Sequence, residues 1–474
     1  MKKTLLAAAV AGVFAAPAFA QTASPGTVTL YGRLNLGIDE VSSLNSHTNT
    51  ATVNRDYKSR VRIFDSSSRL GVRGTEDLGG GLRAIFQIES GVNANNGQAT
   101  SEGGQLNTSA GTLGSRPSWV GLEGGWGRLT FGRQDVYWSN GTIHQTGANY
   151  VNTDIPWLTG NVGRISAGIS RQSAVMQYTS PTVGGANATL SFSPDTGVAG
   201  YEQTVFNNAQ AAGQGKNTNA RLFGVTLRWA GGPFQAQYDW AYKQSSSDYV
   251  NVGPSYNPGC STPGAPVVAG CGIQTAGYAP AYYNLQPKAI DQKIGLAWAY
   301  LPGGQISVIG THVRNVGVVG PDVFGWQNLT QNTLGLNWEH LVGGNILLMA
   351  QYSHMFRVTG CNDSGVSPFN PIPGQNNQSS VCDHSDANGY MVGVRYNLSK
   401  RTGVYATFNM VKNGQNQYAD YWGGAMAAGS TGSQVYAPGG NTQGTIGNVG
   451  SPGIPGSSKG SAPTIIGLGI QHNF

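Results

Sequence analysis

The sequence predicts an all-β chain: a transmembrane, antiparallel up-and-down β-barrel of sixteen strands, with short periplasmic turns and long extracellular loops. Three observations predict it. Apolar and polar residues alternate with period two from end to end, short turns alternate with long polar stretches, and apolar residues are too few for conventional cores.

The first twenty residues stand apart. Lys2 and Lys3 precede an apolar run from Leu5 to about Ala16, and Ala18-Phe19-Ala20 before Gln21 has the form of a cleavage site. Residues 1–20 therefore read as a secretory signal peptide, and 21–474 as a single barrel domain. The run is too short to span a bilayer as a helix, and no later run of about 18 apolar residues follows. A chain that enters a membrane on these terms must do so as a closed barrel.

Composition agrees. Only 39% of the 474 residues are apolar and 11% charged, while 71 are Gly, which suffices if only every second strand residue needs to be apolar. Without Lys2 and Lys3 the chain has 26 basic and 22 acidic residues, a slight and scattered excess that gives no support to a nucleic-acid partner.

The alternation places individual residues. Val28, Leu30, Gly32, Leu34, Leu36 and Ile38 form one face, with Thr29, Tyr31, Arg33, Asn35 and Asp39 between them. The same split recurs at Phe234–Tyr242, Ile294–Tyr300, Tyr390–Leu398 and Val404–Met410, while the segments near 56–74 and 170–180 have soft edges. Tight turns are expected at 76–81, 124–127, 231–233, 302–304, 342–344 and 399–402. Long loops are expected at about 92–115, 135–168, 195–219, 244–288, 316–331, 357–386 and 413–461. Trp and Tyr near strand ends fit interfacial girdles, although strand propensity alone also enriches aromatics.

The four cysteines fall as two local pairs, Cys260 with Cys271 and Cys361 with Cys382, each within one loop. Behind a secretion signal this spacing favours two intraloop disulfides over a metal site, since no C-x-x-C occurs.

Several blocks carry a family resemblance: Val28-Thr29-Leu30-Tyr31-Gly32, Ser68 to Leu82 (SRLGVRGTEDLGGGL), Ala84-Ile85-Phe86-Gln87, Trp119-Val120-Gly121-Leu122, Leu129 to Gln134, Ser399-Lys400-Arg401-Thr402, and the last strand ending in Phe474. On these the chain resembles the general porins of Gram-negative bacteria, of the β-proteobacterial Neisseria, Bordetella and Burkholderia type. The resemblance implies an outer-membrane homotrimer among lipid and lipopolysaccharide, passing small hydrophilic solutes and ions. It implies a third loop, about 135–168, folded into the lumen as a constriction, and a terminal Phe474 read by the barrel-assembly machinery. The length of the cysteine-bearing loops departs from the pattern and leaves external gating open.

Catalysis finds little footing. Gly456-Ser457-Ser458-Lys459-Gly460 matches G-x-S-x-G but lies in a Pro-Gly-Ser stretch rather than on a strand-to-helix turn. His312, His340 and His354 are the residues that neighbouring strands could bring together on a metal, and no cofactor is implied. A barrel enzyme or adhesin remains the alternative to a passive channel. A soluble β-sandwich is disfavoured, because its outward faces would need to be polar.

Charge placement bears on selectivity. With Leu34, Leu70 and Val72 toward lipid, Arg33, Arg69 and Arg73 point into the lumen. Arg133 joins them by resemblance; its parity matches Leu129 and Phe131, so it reaches the lumen only if the strand ends or bulges there. Asp135 and Asp154, the carboxylates between 135 and 168, are the candidates for an opposing acidic side. The local excess is basic, which predicts a weak anion preference. The competing reading is that these arginines pair with Glu76 or Glu89 and serve stability.

Overall fold

The structure, a computed structural model, describes residues 26–45, 56–66, 68–92, 94, 113–137, 171–194, 221–244, 249–251, 282–284, 288–320, 323–360, 382–415 and 460–474. Its strands are β1 (Thr27–Leu44), β2 (Tyr57–Asp65), β3 (Arg69–Gly79), β4 (Leu82–Gly91), β5 (Ser118–Gly124), β6 (Gly127–Asp135), β7 (Arg171–Thr179), β8 (Ala186–Ser193), β9 (Arg221–Gly231) and β10 (Phe234–Gln244). They continue as β11 (Tyr249–Asn251), β12 (Tyr282–Asn284), β13 (Lys288–Leu301), β14 (Gly304–Gly320), β15 (Val323–Val342), β16 (Ile346–Met355), β17 (Ala387–Asn397), β18 (Thr402–Asn413) and β19 (Ala462–Asn473).

β1 pairs with both β2 and β3, which together form one barrel strand interrupted at residues 66–68. β11 and β12 pair only with each other, within the connection from β10 to β13. What remains is a closed ring of sixteen antiparallel strands, sealed where β1 meets β19 from Arg33↔Asn473 to Leu44↔Ala462. Among the described residues no helix is long and apolar enough to cross a membrane.

The soft edges in the sequence mark irregularities in the ladder. At the 66–68 interruption the backbone of Asn35 donates to the Ser68 hydroxyl (2.9 Å), and Ser66 N donates to the Asn35 carbonyl (2.8 Å). A serine side chain thus stands in for a missing ladder partner, which keeps buried backbone groups satisfied. The second irregularity is a register shift where β6 meets β7, with Ala174 at φ 54°.

Seven short connections lie on the rim that also carries the ends of β1 and β19. Gly80 and Gly81, at φ 62° and 79°, form a two-residue turn that needs positive φ at both positions. At 399–402 the Ser399 hydroxyl accepts from Arg401 N and Thr402 N, at 3.1 and 3.0 Å. One expected loop is corrected. Residues 316–331 are nearly all strand, because β14 runs to Gly320 and β15 starts at Val323. Val316, Val318, Val319, Val323 and Phe324 are β-branched or aromatic, and this propensity carries the hairpin beyond the barrel's regular register.

Parity divides the wall. Val28, Leu30, Leu34, Ile38, Ile294, Leu296, Trp298, Val392, Val394, Ile466, Leu468 and Ile470 are exposed on the outside, a continuous apolar belt. Near the short-turn rim the belt ends in aromatics. Trp126 stacks on Tyr178 at 6.2 Å, and Trp338 Nε1 donates to the Tyr300 hydroxyl (3.0 Å), which bonds His340 Nδ1 (2.8 Å). This is the arrangement of a barrel surrounded by hydrocarbon and bounded by an interfacial girdle.

The seam depends on a close approach. Gly32 and Phe474 exchange both backbone hydrogen bonds (3.0 and 3.1 Å), and a Cβ at Gly32 would stand 2.3 Å from the Phe474 ring. The terminal ring therefore lies over the Gly32 backbone, which only glycine leaves open.

Outward charge should cost stability according to depth. Leu468→Arg, midway along β19, is expected to lower unfolding free energy from lipid vesicles by about 2–4 kcal/mol, and Leu398→Arg at the short-turn rim by about 0–1 kcal/mol. Equal losses in denaturant titrations would show that the belt is misplaced.

Candidate functional site

The inward face of the ring is the candidate site. On β1 and β3, Arg33 and Arg69 are direct cross-strand partners, and Arg73 lies four residues further along β3 with its guanidinium 5.3 Å from the Tyr31 ring centroid. Arg33 donates to the Ser66 carbonyl at 3.3 Å, so the strand interruption also fixes this guanidinium. Two like charges placed opposite each other repel, and an acid next door relieves the strain. Glu89 on β4 is that acid. It lies 3.9 Å from Arg69, accepts from Arg116 Nε at 2.5 Å and accepts from the Tyr31 hydroxyl at 3.0 Å.

Three further arginines extend the wall beyond what parity marked. Arg116 precedes β5, where no alternation exists to place it. Arg171 opens β7, and its charge, with that of Arg116, acts on Arg69. Arg395 on β17 donates to Gln471 at 3.4 Å, and its charge meets that of Arg33 at Tyr405.

Two expectations are corrected. Asp135 does not face the arginines from across the pore; it ends β6 as the cross-strand partner of Arg171 and accepts from its Nε at 2.7 Å. Adjacency in the ladder decides its partner and puts it in the same wall. Arg133 does not join the cluster either. Thr130 and Gln134 bond each other at 3.0 Å on the inward face, so β6 keeps its alternation as far as Gln134 and Arg133 stays on the Phe131 side. The ladder does bulge here, but with its extra residue in β7. There Arg133 donates to the Ser115 carbonyl (2.9 Å) and the Ser173 hydroxyl (2.7 Å). Asp154, Cys260, Cys271 and Cys361 lie outside the described residues.

Across the ring stand β10 and β13, the ninth and tenth barrel strands. Asp239 accepts from the Thr226 hydroxyl (2.6 Å) and Gln237 (2.8 Å) and pairs with Lys293 at 3.2 Å. Asp291 shares this side with Lys243, and Arg228 is drawn to Asp239. Two carboxylates thus sit among three cations, a wall near balance facing one with a basic excess.

The chain leaving β6 turns inward. Val136 and Tyr137 are buried in one cluster with Val175, Leu222, Ala241 and Ala289, and the Tyr137 carbonyl accepts from Lys293 Nζ at 3.1 Å. The inward face also carries Val41, Ile309, Met349, Met391 and Ile465, all buried.

Cys382 is disulfide-bonded, with its partner outside the described residues. Ser385 accepts from Val358 N (2.8 Å) and donates to the Cys382 carbonyl (2.7 Å), so the turn bearing Cys382 is stitched to the segment that carries Val358. His312, His340 and His354 do not meet. His312 bonds Asn332 and His354 bonds Asn388, while His340 sits in the girdle, and among the described residues no group of three metal-ligating side chains forms.

A closed sixteen-strand ring with an apolar outer belt and a charged inner wall defines a transmembrane β-barrel of the outer-membrane class. Residues 6–416 match the Gram-negative porin family, and the chain belongs to it. An outer membrane porin protein of Bordetella pertussis is 31% identical over 259 residues, covering 52% of this chain and 61% of that one. Outer membrane porin protein 32 of Delftia acidovorans is 30% identical over 276 residues, 55% of this chain and 67% of that one. The chain thus spans about six tenths of the length of the curated relatives it matches. An anion-selective porin from Comamonas acidovorans superposes with a TM-score of 0.58 at 19% identity over 95% of this chain and all of that one. The trimer form of Vibrio cholerae OmpT gives 0.51 at 12% identity over 95% of this chain and all of that one. These two likenesses show the fold.

Proposed function

We propose that the chain forms a water-filled channel through the Gram-negative outer membrane, by which small hydrophilic solutes and ions diffuse passively with a weak anion preference. One observation carries the reading: Arg33, Arg69, Arg73, Arg116, Arg171 and Arg395 gather on one side of the ring, where Glu89 and Asp135 are among the carboxylates that pair with them. The surplus of positive charge raises the local anion concentration, as rings of charged side chains do in other pores. Screening over about 8–10 Å at physiological ionic strength keeps the preference modest. The solved neighbour described as anion-selective is in keeping with this.

The same proposal takes residues 1–20 as a signal peptide, 21–474 as the barrel, and 135–168 as a constriction loop with Asp154 as its carboxylate. It takes a homotrimer as the working form, set among lipopolysaccharide and delivered by the barrel-assembly machinery through Phe474. No catalytic role is assigned.

Reversal potentials in a salt gradient test the selectivity. The wild type should favour anions, Glu89→Gln should strengthen that preference by releasing Arg69 and Arg116, and Arg33→Ser with Arg73→Ser should weaken it. A cation-preferring wild type would reject the reading.

For the cysteines, the stitch between Val358 and Ser385 supports Cys361 as the partner of Cys382, and spacing supports Cys260 with Cys271. Each bond should contribute roughly 3 kcal/mol in the chain-entropy model. Mass spectrometry without reductant should recover both linked peptide pairs, and reduction should leave the barrel folded; other linkages would refute the assignment.

A further inference from the structure

Lys293 is an unusual residue for the wall of a hydrated pore. Its side chain is 1% exposed, and the lysine ranks among the largest fully buried side chains among the described residues. Lysine is rarely buried unless its charge is matched, because removing an ammonium from water is costly. The matching is visible. Asp239, itself held by Thr226 and Gln237, lies 3.2 Å away on the neighbouring strand.

Two further contacts of Lys293 reach out of the wall. Nζ donates to the Tyr137 carbonyl at 3.1 Å and lies 5.0 Å from the centroid of the Tyr137 ring. Tyr137 follows β6, the fifth barrel strand, whereas Lys293 is on β13, the tenth. Val136 and Tyr137 therefore leave β6 toward β13, where they are 1% and 2% exposed in a cluster that includes Leu222, Ala241 and Ala289. A carbonyl accepting from an ammonium and a ring beneath the same ammonium are two separate attractions on one residue. At the other end Gln177 donates to the Asp135 carbonyl at 3.0 Å, so the segment is tied at both walls.

We propose that Lys293, backed by Asp239, is a positioning residue that latches Tyr137 across the pore and thereby sets its open cross-section. The latch rests on the reading of the chain as a channel and adds to it a residue that fixes aperture rather than selectivity. Lys293 holds the crossing segment through a backbone carbonyl, so the hold is insensitive to the side chain at 137 except through its ring. Asp239 keeps the ammonium aimed inward.

Single-channel recording in planar bilayers tests this with Lys293→Met, which keeps the length and volume and removes the charge and the donor. The expected result is a rise in conductance and in open-channel current noise, with oligomers as heat-resistant as the wild type. Lys293→Gln, which retains a donor group, should fall between the two and serves if the Met variant does not assemble. Wild-type conductance and noise in an assembled variant would overturn the latch. So would failure of both variants to assemble, since the lysine would then belong to the barrel's fold. Wild-type channels in the same bilayers keep the channel reading separate: their absence would sink that reading, and their presence with unaltered variants would sink the latch alone.

Discussion

Everything in this protein depends on closing the backbone hydrogen-bond ladder on itself. In hydrocarbon no water is present to satisfy an open sheet edge, and each unpaired group costs several kcal/mol, so the first and last strands must meet. β1 and β19 do so over twelve residue pairs, and the final residue contributes, since Phe474 exchanges two backbone bonds with Gly32. Closure then fixes a parity for every strand residue. That parity sends Leu34, Ile38 and Leu468 to lipid and Arg33, Asn35 and Asp39 to the lumen.

Within the ring, charge is arranged asymmetrically. The side built on β1, β3, β4 and β7 concentrates guanidinium groups, with Glu89 and Asp135 among them, whereas Asp239 and Asp291 on the opposite side sit among Lys243, Lys293 and Arg228. The field across the lumen therefore comes from an excess on one wall rather than from an acidic wall facing it. Glu89 keeps neighbouring guanidinium groups compatible and so serves stability and selectivity together. The pairing of Arg69 with Glu89 is the contact that the stability reading of these arginines expects.

Much of this was legible in the sequence because period two is a strong code. Arg69 and Arg73 were placed by Leu70 and Val72, and the turn glycines 80 and 81 marked where β3 reverses. The failures share a cause: residues whose neighbours come from another part of the chain. Arg116 lies outside any alternating run, and Asp135 was assigned a distant partner because its cross-strand partner depends on the β6–β7 register. Whether Arg133 reaches the lumen depends on which strand carries the bulge, and the extra residue is in β7. The buried Val41, Met349 and Met391 share inward parity with Gln351 and Asn409, so alternation located them without revealing that they are buried.

The central claim is that the ring encloses continuous water. Single-channel conductance of the purified wild-type protein in planar bilayers tests it most directly, measured in concentrated electrolytes where wall charges are screened. The account predicts discrete steps whose size rises in proportion to the bulk conductivity of the electrolyte. Absence of steps from correctly folded oligomers, or a conductance that saturates with salt as a narrow binding site would, contradicts it.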